Sequence, residues 1–367
     1  MKLFKSLLVA PATLGLLAPM AATANEVTVN DFTPSIERTL LAGGEGLVDS
    51  PSHDGGFSET TTASFSADFA IGAVDGVAAQ DTVGAVYGFQ IDLSTSFTGE
   101  DSFDVSIDAG NGGNTLTEFD LNETGADDAL AVDGISYTFP IGEKITVMVG
   151  NDVAGSSLYS TACVYGTPTN TMDDCGNANS AMDSNTDATA LSASYDIGNG
   201  FAAAFGYEGD GDGALGLMTL EGSDIYGAQL SYAADSYAAS LTYANYDTST
   251  TDTIYWGLNG YWTPSESGSF PSISAGYEVG NASNTDIDTS HYFVGFQWDE
   301  VGPGTLGAAF GTQEHYAENA QEFLMYEAYY SYPINDGMTV TPLVYVRETA
   351  ANVDDETGVM VKTSFSF

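Results

Sequence analysis

Carboxylates are the most abundant chemically active groups in this sequence. The 367 residues include 51 Asp and Glu against six Lys and Arg, and the formal net charge at pH 7 is −45. This balance argues against nucleic acid as a partner, because phosphate groups are bound by Lys and Arg. Fixed carboxylates attract cations instead. The composition is therefore typical of a secreted acidic protein or of a pore that attracts cations.

Residue types used in catalysis are present, but their spacing matches no catalytic motif. His53, His291 and His315 lie far apart in the sequence, and no nucleophile elbow accompanies the many serines. The acidic run Gly209–Gly213 offers carboxylate oxygens that suit Ca²⁺, yet its spacing is not that of an EF-hand. We therefore expect no enzyme and no cofactor, with Ca²⁺ at acidic loops as an alternative.

The first residues have the features of an export signal. Lys2 and Lys5 precede an apolar stretch, and Ala22–Ala24 forms a small-residue cleavage site. Pro11 and Pro19 break the apolar stretch, which is shorter than the roughly 20 residues that span a bilayer. We predict a signal peptide over residues 1–24, an N-terminal segment of unknown role over 25–57, and a β-barrel over 58–367.

The barrel is predicted from alternation of apolar and polar residues. In the segment 201–207, Phe201, Phe205 and Tyr207 share one face while small residues occupy the other. Later apolar stretches are interrupted every few residues by polar ones, and so no transmembrane helix is predicted. A membrane protein without helices must close a β-barrel to satisfy its backbone hydrogen bonds.

The fold class is therefore all-β, a transmembrane antiparallel barrel of about 16 strands. Short turns alternate with long acidic loops, as in outer-membrane barrels, where the turns are periplasmic and the loops external. An error of one hairpin would give 14 or 18 strands. The predicted strands lie near residues 62–71, 83–97, 102–109, 129–139, 144–150, 188–196, 200–208, 223–233, 236–247, 251–263, 270–279, 289–299, 304–312, 322–332, 338–348 and 357–367.

The last predicted strand carries a second signal. Val359, Val361, Phe365 and Phe367 alternate with polar residues, and the chain ends on the aromatic Phe367. A final strand with a terminal aromatic is similar to the signal read by the outer-membrane barrel assembly machinery. We therefore assign Phe367 as the assembly signal and predict localisation in the outer membrane.

Three stretches resemble a known family. The leader from Leu7 to Pro19, the segment Tyr137–Gly150 and the loop Cys163–Gly176 are similar to cyanobacterial outer-membrane porins of the carbohydrate-selective, OprB-like type. The resemblance implies a 16-stranded barrel, diffusion of small solutes and a homotrimer. It also implies an S-layer-homology domain after the leader, but residues 25–57 are too short for one, so peptidoglycan attachment is not expected.

The loop Asn151–Asp187 is the longest and contains both cysteines. Cys163 and Cys175 are compatible with one disulfide in an oxidising compartment, which would close a ring of about 13 residues. In trimeric general porins the corresponding third loop folds into the barrel, and we predict the same here, with an outward-projecting lid as the alternative. The predicted constriction residues are Asp152, Asp173, Asp174, Asp183 and Asp187.

Strand parity also predicts which charges face the lumen. Because apolar side chains must face lipid, the opposite positions face water. Arg347 and Lys362 share the inward parity and are expected to pair with carboxylates. The predicted wall residues are Asp68, Asp92, Asp104, Asp108, Glu278, Asp299, Glu327, Arg347 and Lys362.

These features together predict a porin, a water-filled and acid-lined channel for passive diffusion of small hydrophilic solutes with a preference for cations. Its expected partners are outer-membrane lipid, lipopolysaccharide and the assembly machinery. Two alternatives remain open: a surface structural or binding barrel without significant conductance, and an outer-membrane hydrolase.

Overall fold

The computed structural model divides the chain into two units, Met1–Glu59 and Thr60–Phe367. The first unit, with the predicted signal peptide and the segment 25–57, lies outside the described residues, and everything below concerns the second. The described residues are 61–76, 82–111, 129–166, 172, 174–177, 179–182, 189–211, 216–248, 251–265, 270–283, 288–312, 315–349 and 354–367.

Within this part of the chain the structure is built from strands. Seventeen strands are present among the described residues. They are β1 (Thr61–Asp75), β2 (Gly84–Thr95), β3 (Ser102–Gly110), β4 (Ala131–Ile141), β5 (Ile145–Asn151), β6 (Thr189–Gly198), β7 (Phe201–Gly209), β8 (Asp224–Ala234), β9 (Tyr237–Asp247), β10 (Asp252–Trp262), β11 (Ser272–Ala282), β12 (Asp288–Val301), β13 (Gly304–Thr312), β14 (Tyr316–Ala317), β15 (Leu324–Asn335), β16 (Met338–Arg347) and β17 (Glu356–Ser366).

Sixteen of these strands form a closed antiparallel barrel. Each strand pairs with its sequence neighbour, except that β13 pairs with β15, and β1 pairs with both β2 and β17. Within the described residues, each of these sixteen strands is paired on both sides, which is the condition a spanning sheet must meet in lipid. The predicted fold class is confirmed.

Strand β14 was not predicted. It has two residues, pairs with β12 through Thr289 and Ser290, and lies in the connection between β13 and β15. Two residues carry no alternation, so a pattern of period two cannot reveal such a segment.

Connection length alternates around the barrel, with short turns at one end and longer loops at the other. The β6–β7 turn contains Asn199 and Gly200, both with positive φ, the conformation of a two-residue hairpin turn that follows strand twist. In the β2–β3 turn, Asp101 accepts hydrogen bonds from the Ser96 hydroxyl and the Thr98 backbone N–H. Two connections depart from the alternation: 248–251 is short at the loop end, and 263–271 is long at the turn end.

The two faces of the wall differ as the parity predicts. Phe69 and Ile71 of β1 lie exposed on the outer face, whereas Asp68 and Ala70 are buried on the inner face. The same alternation runs through β9, where Leu241 is exposed and Ser240 and Thr242 are buried. Among the described residues, no helix is long and apolar enough to cross a membrane.

Candidate functional site

The loop between β5 and β6 is the central feature of the lumen. We call residues 152–188 the β5–β6 loop. Its first part follows the inner face of β6 to β8: the Leu158 N–H donates to Ser192 Oγ (3.3 Å), and the Ser160 N–H donates to Gln229 Oε1 (2.7 Å). The Gly155 N–H donates to Glu208 Oε1 at 2.5 Å. Each acceptor lies on the polar face of its strand, opposite the exposed apolar side chains.

The middle of the loop crosses to the far side of the barrel. The Tyr165 N–H donates to Ser274 Oγ of β11 (3.1 Å), and its hydroxyl donates to Glu327 Oε1 of β15 (2.5 Å). The Tyr329 hydroxyl donates to the Gly166 carbonyl oxygen at 2.5 Å. Because one loop contacts the inward faces of β6 and β15, its described part lies inside the barrel and not on its rim.

The returning part of the loop is seated on β10 to β12. Asn259 Nδ2 donates to the Cys175 carbonyl oxygen (3.0 Å), and the Ser180 N–H donates to Glu278 Oε2 (2.5 Å). The Glu278 side chain is fully buried. A buried carboxylate needs such donors, because burial without them is costly.

Two histidines complete this contact. His291 Nε2 lies 3.4 Å from Asp174 Oδ2 of the loop, and His315 Nε2 lies 2.5 Å from Glu278 Oε1. The Thr312 hydroxyl forms a hydrogen bond with His291 Nδ1, and the Thr289 hydroxyl forms one with His315 Nδ1. The two imidazole rings stack with centroids 5.7 Å apart. The pair therefore links the loop to β11, β12 and the segment before β14.

The loop is also closed on itself. Cys163 and Cys175 form a disulfide with Cα atoms 6.5 Å apart, so the predicted disulfide is confirmed. Tyr165, Met172 and Cys175 pack into a buried apolar cluster with side chains from β12 to β17 and β1, including Phe293 and Tyr329. This cluster holds the ring against the inner wall.

A second part of the lumen is lined by acids and hydroxyls. On β2 and β3, Asp92 accepts from the Ser106 hydroxyl (2.8 Å), and Asp104 accepts from the Ser102 hydroxyl (2.8 Å). Both carboxylates are half-buried and remain accessible from the lumen. Their partners belong to the sheet itself, whereas Glu208, Glu278 and Glu327 receive donors from the loop.

The basic residues of the inner face lie beside acids. Lys362 Nζ is 4.0 Å from Asp68 Oδ2, and Arg347 Nη1 is 3.6 Å from Glu356 Oε1. Each positive charge is thus compensated locally. The sign of the net charge in the lumen is therefore set by the remaining carboxylates.

Comparison with known proteins now identifies the family. The sequence profile of Gram-negative porins matches residues 50–352, most of the chain. The chain belongs to the Gram-negative porin family. A search of curated proteins finds no match.

Solved porins share the fold of this porin at low sequence identity. The anion-selective porin from Comamonas acidovorans is 15% identical with a TM-score of 0.58, and covers 84% of this chain and 99% of its own. Pseudomonas putida OprB in a high-pH structure is 10% identical with a TM-score of 0.61, covering 84% and 94%. A loop-deletion mutant of OmpT, an outer membrane protein of Vibrio cholerae, is 11% identical with a TM-score of 0.57, covering 84% and 100%. The porin family and fold are those of an outer-membrane channel.

The predicted wall residues of this porin all lie on the inner face. Like the buried Ala70, Thr242 and Met325, they lie at strand positions whose side chains point inward. The exposed outer side chains lie at the alternate positions. They divide into the loop acceptors Glu278 and Glu327, the charge pairs around Lys362 and Arg347, and acids such as Asp92 and Asp299 that bond to side chains of the wall.

The predicted loop acids are only partly within the described residues. Asp152 directly follows β5 with a positive φ of 59°. Asp174 contacts His291, and its Oδ1 accepts from the Gly176 N–H at 2.6 Å. Asp173, Asp183 and Asp187 lie outside the described residues. So does Asp212 of the possible Ca²⁺ run; within the described part, no group of three or more His, Cys, Asp or Glu is placed to hold a metal ion.

Environment alters the acidity of the loop residues of this porin. Burial acts to raise the pKa of Asp174, but the hydrogen bond and charge of His291 and the Gly176 N–H outweigh it, so the pKa lies below its usual value. Burial, followed by the nearby Glu327 carboxylate, raises the pKa of the Tyr165 hydroxyl. At neutral pH the loop therefore carries an ionised Asp174 and a neutral Tyr165.

Sequence reasoning missed several residues of the site. Glu208 has the same inward parity as Ala202, Ala204 and Gly206, so the alternation of β7 contained the signal that finds it. No motif singles out His291, which lies in β12, three residues after the strand begins. Its contact with Asp174 joins residues more than one hundred positions apart, which no local pattern contains.

Proposed function

We propose that this porin forms a water-filled, acid-lined channel through which small hydrophilic solutes diffuse passively, with cations preferred over anions. One observation carries the proposal: accessible carboxylates, Asp92 and Asp104, line the inner face of β2 and β3 among hydroxyl groups, while the basic side chains Lys362 and Arg347 lie beside carboxylates. Fixed negative charge in a narrow aqueous path raises the local concentration of cations and repels anions.

The charge of the chain supports this sign of selectivity. Anion pores place Arg and Lys at the constriction. This sequence has six Lys and Arg in all, and none between residues 145 and 346. We propose that the β5–β6 loop narrows the path, with its acids facing cations in transit.

The test is a reversal potential in planar bilayers with a potassium chloride gradient. We expect the wild type to favour potassium, and the double variant Asp92→Asn and Asp104→Asn to lower the potassium-to-chloride permeability ratio about twofold or more. Asp235→Asn is the matched control, since it removes one charge from the exposed β8–β9 turn. A wild-type preference for chloride would refute the cation preference, and absence of conductance would favour a surface binding barrel.

Family resemblance supports further features of the same proposal. The mature protein begins near Asn25, assembles as a homotrimer in the outer membrane and contacts lipid and lipopolysaccharide. The short turns then face the periplasm and the long loops face outward. Passage of neutral sugars, which the resemblance to carbohydrate-selective porins implies, is measured by the swelling of liposomes in sugars of increasing size.

A further inference from the structure

Five glycines of the inner wall lie directly beneath the β5–β6 loop. Each occupies the inward face of a different strand, and each would overlap with a loop atom if it carried a side chain. Added Cβ atoms at Gly206 and Gly276 would meet the carbonyl oxygens of Gly155 and Cys175. These five, with their strands and loop partners, are Gly206 (β7, Gly155), Gly227 (β8, Met182), Gly257 (β10, Ser180), Gly276 (β11, Cys175) and Gly295 (β12, Tyr165); Gly134 (β4) and Gly150 (β5) approach Asp152 and Val153 at the start of the loop in the same way.

Backbone conformation does not explain these glycines. None of the five has a positive φ, so an L side chain would fit the strand dihedral angles at each position. A glycine within a strand commonly marks the close approach of another backbone. Here the loop backbone approaches Gly206 and Gly276, and loop side chains approach the other three, so the glycines set how near the loop lies to the wall.

Two of the glycines belong to a repeated sequence motif. Gly206-Tyr207-Glu208 in β7 and Gly276-Tyr277-Glu278 in β11 have the same order. Alternation places Gly and Glu of each motif on the inner face. In both, the glycine admits a loop carbonyl, and the glutamate accepts a loop N–H at 2.5 Å, from Gly155 in the first and Ser180 in the second.

We propose that the two Gly-Tyr-Glu segments are sockets that fix the depth of the β5–β6 loop, and that Gly206, Glu208, Gly276 and Glu278 are positioning residues for the channel aperture. They act through the loop and not by contact with the solute, since Glu208 and Glu278 are buried. The β7 socket holds the beginning of the loop and the β11 socket holds its end. The role in setting the aperture rests on the proposed channel function.

The Gly276→Ala variant tests the β11 socket. Its Cβ would meet a backbone oxygen that cannot rotate away, so the loop must move toward the pore axis by roughly 1.5 Å to restore normal contact. We expect lower single-channel conductance, by an amount on the order of tens of per cent, because the aperture narrows. Gly260→Ala, on the outer face of β10, is the matched control and leaves conductance unchanged.

A second measurement does not depend on conduction. Cys175 is buried over Gly276, so lifting the loop exposes the Cys163–Cys175 disulfide. We expect its reduction by a water-soluble phosphine to accelerate several-fold in Gly276→Ala but not in Gly260→Ala. If the wild type fails to conduct, the channel function fails while this measurement still tests the socket.

A compensating substitution in the loop tests whether the loop effect of an added wall side chain can be reversed. The Gly257→Ala side chain overlaps Ser180 Oγ and also approaches Ser180 Cβ (3.1 Å). Ser180→Gly removes both Ser180 atoms and leaves only the 3.1 Å approach to Asn177 Cβ, so the double variant regains most of the wild-type conductance and reduction rate while Gly257→Ala alone does not. At the glutamate, Glu278→Gln retains an acceptor for the Ser180 N–H and keeps the loop seated, whereas Glu278→Leu releases it.

Barrel folding is verified for every variant by heat-modifiable migration on a denaturing gel. In folded protein, unchanged or increased conductance together with an unchanged reduction rate in Gly276→Ala would overturn the socket assignment. Wild-type conductance together with a wild-type reduction rate in Glu278→Leu would do so as well. If Gly276→Ala does not fold, the comparison of Glu278→Gln with Glu278→Leu decides the question at the same socket.

Discussion

At the scale of single residues, Asp174 and His291 join the β5–β6 loop to β12 through a contact that depends on protonation. The Asp174 pKa is below its usual value of 3.8 because the influence of His291 and the Gly176 N–H exceeds that of burial. A depressed carboxyl pKa stabilises the folded loop above the unfolded pKa, and this stabilisation is lost as pH falls through the folded pKa. Acid is therefore expected to loosen this end of the loop.

The measurement is the rate of Cys163–Cys175 reduction by a phosphine at several pH values. In the wild type the rate should rise several-fold as pH falls below about 4, after correction for the intrinsic pH dependence of the reagent. Asp174→Asn should remove this additional dependence, since the amide does not ionise. An identical pH profile for the two proteins would show that Asp174 does not anchor the loop.

The residue scale also shows where sequence reasoning ends. Parity placed Asp92 and Glu278 on the inner face equally well, because a strand alternates its side chains strictly. It could not distinguish an accessible acid from one buried against Ser180, which is 98 positions away in sequence. That distinction depends on the path of the loop, and the path depends on contacts with strands on opposite sides of the barrel.

At the scale of elements, the strands were the most predictable part. Predicted strand 223–233 corresponds to β8 (Asp224–Ala234), and 236–247 corresponds to β9 (Tyr237–Asp247). β1 extends to Asp75, beyond the predicted end at residue 71, because Ala73 and Val74 continue the pairing with β17. Strand pairing continues past the point where alternation of polarity stops, so boundaries are less predictable than strands.

The C-terminal strand makes a prediction about assembly. Phe367 stacks on Phe65 with centroids 5.7 Å apart, and its backbone pairs with that residue in both directions, yet 76% of the side chain remains exposed. An exposed terminal ring is available for recognition before the barrel closes. We expect Phe367→Ala to lower the folded fraction in membranes several-fold while a barrel refolded in detergent stays nearly as stable as wild type.

Heat-modifiable migration of membrane extracts and of refolded protein measures both quantities. Phe270→Ala is the control, since Phe270 is similarly exposed but lies in the connection between β10 and β11, away from the last strand. Equal losses in membranes and in detergent would indicate a role in stability only. No loss in either would remove Phe367 as the assembly signal.

The disulfide makes a prediction about the loop as an element. A ring of this size stabilises by about 3 kcal/mol in the chain-entropy model, and it holds Tyr165 and Cys175 in the buried cluster with Phe293. We expect Cys163→Ser with Cys175→Ser to leave the barrel folded but to produce fluctuating conductance. The strands are held by their own pairing, whereas the loop depends on its cross-link.

Single-channel recordings before and after reduction of the wild type provide the comparison. Reduced wild type and the double serine variant should fluctuate alike, and the double variant should not respond to the reductant. Steady conductance in both would mean that the sockets and the cluster suffice to hold the loop without the cross-link.

At the scale of the whole molecule, the charge distribution predicts how selectivity depends on salt. With a net charge of −45, the loops between strands and the lumen wall both contribute negative potential. The two contributions are screened differently: the Debye length falls from about 10 Å at 0.1 M salt to about 3 Å at 1 M. Charges on distant loops lose their effect at high salt, whereas charges within a few ångströms of the ion path retain it.

We therefore expect the potassium-to-chloride permeability ratio to be largest at low salt and to fall severalfold toward 1 M, without reaching one. The cation preference that remains at 1 M should disappear in the Asp92→Asn and Asp104→Asn variant, because these carboxylates line the ion path itself. At 0.1 M the same variant should keep a cation preference supplied by the rest of the molecule. A ratio independent of salt would place all selectivity at the wall, and a ratio of one at 1 M in the wild type would assign it to the distant loops.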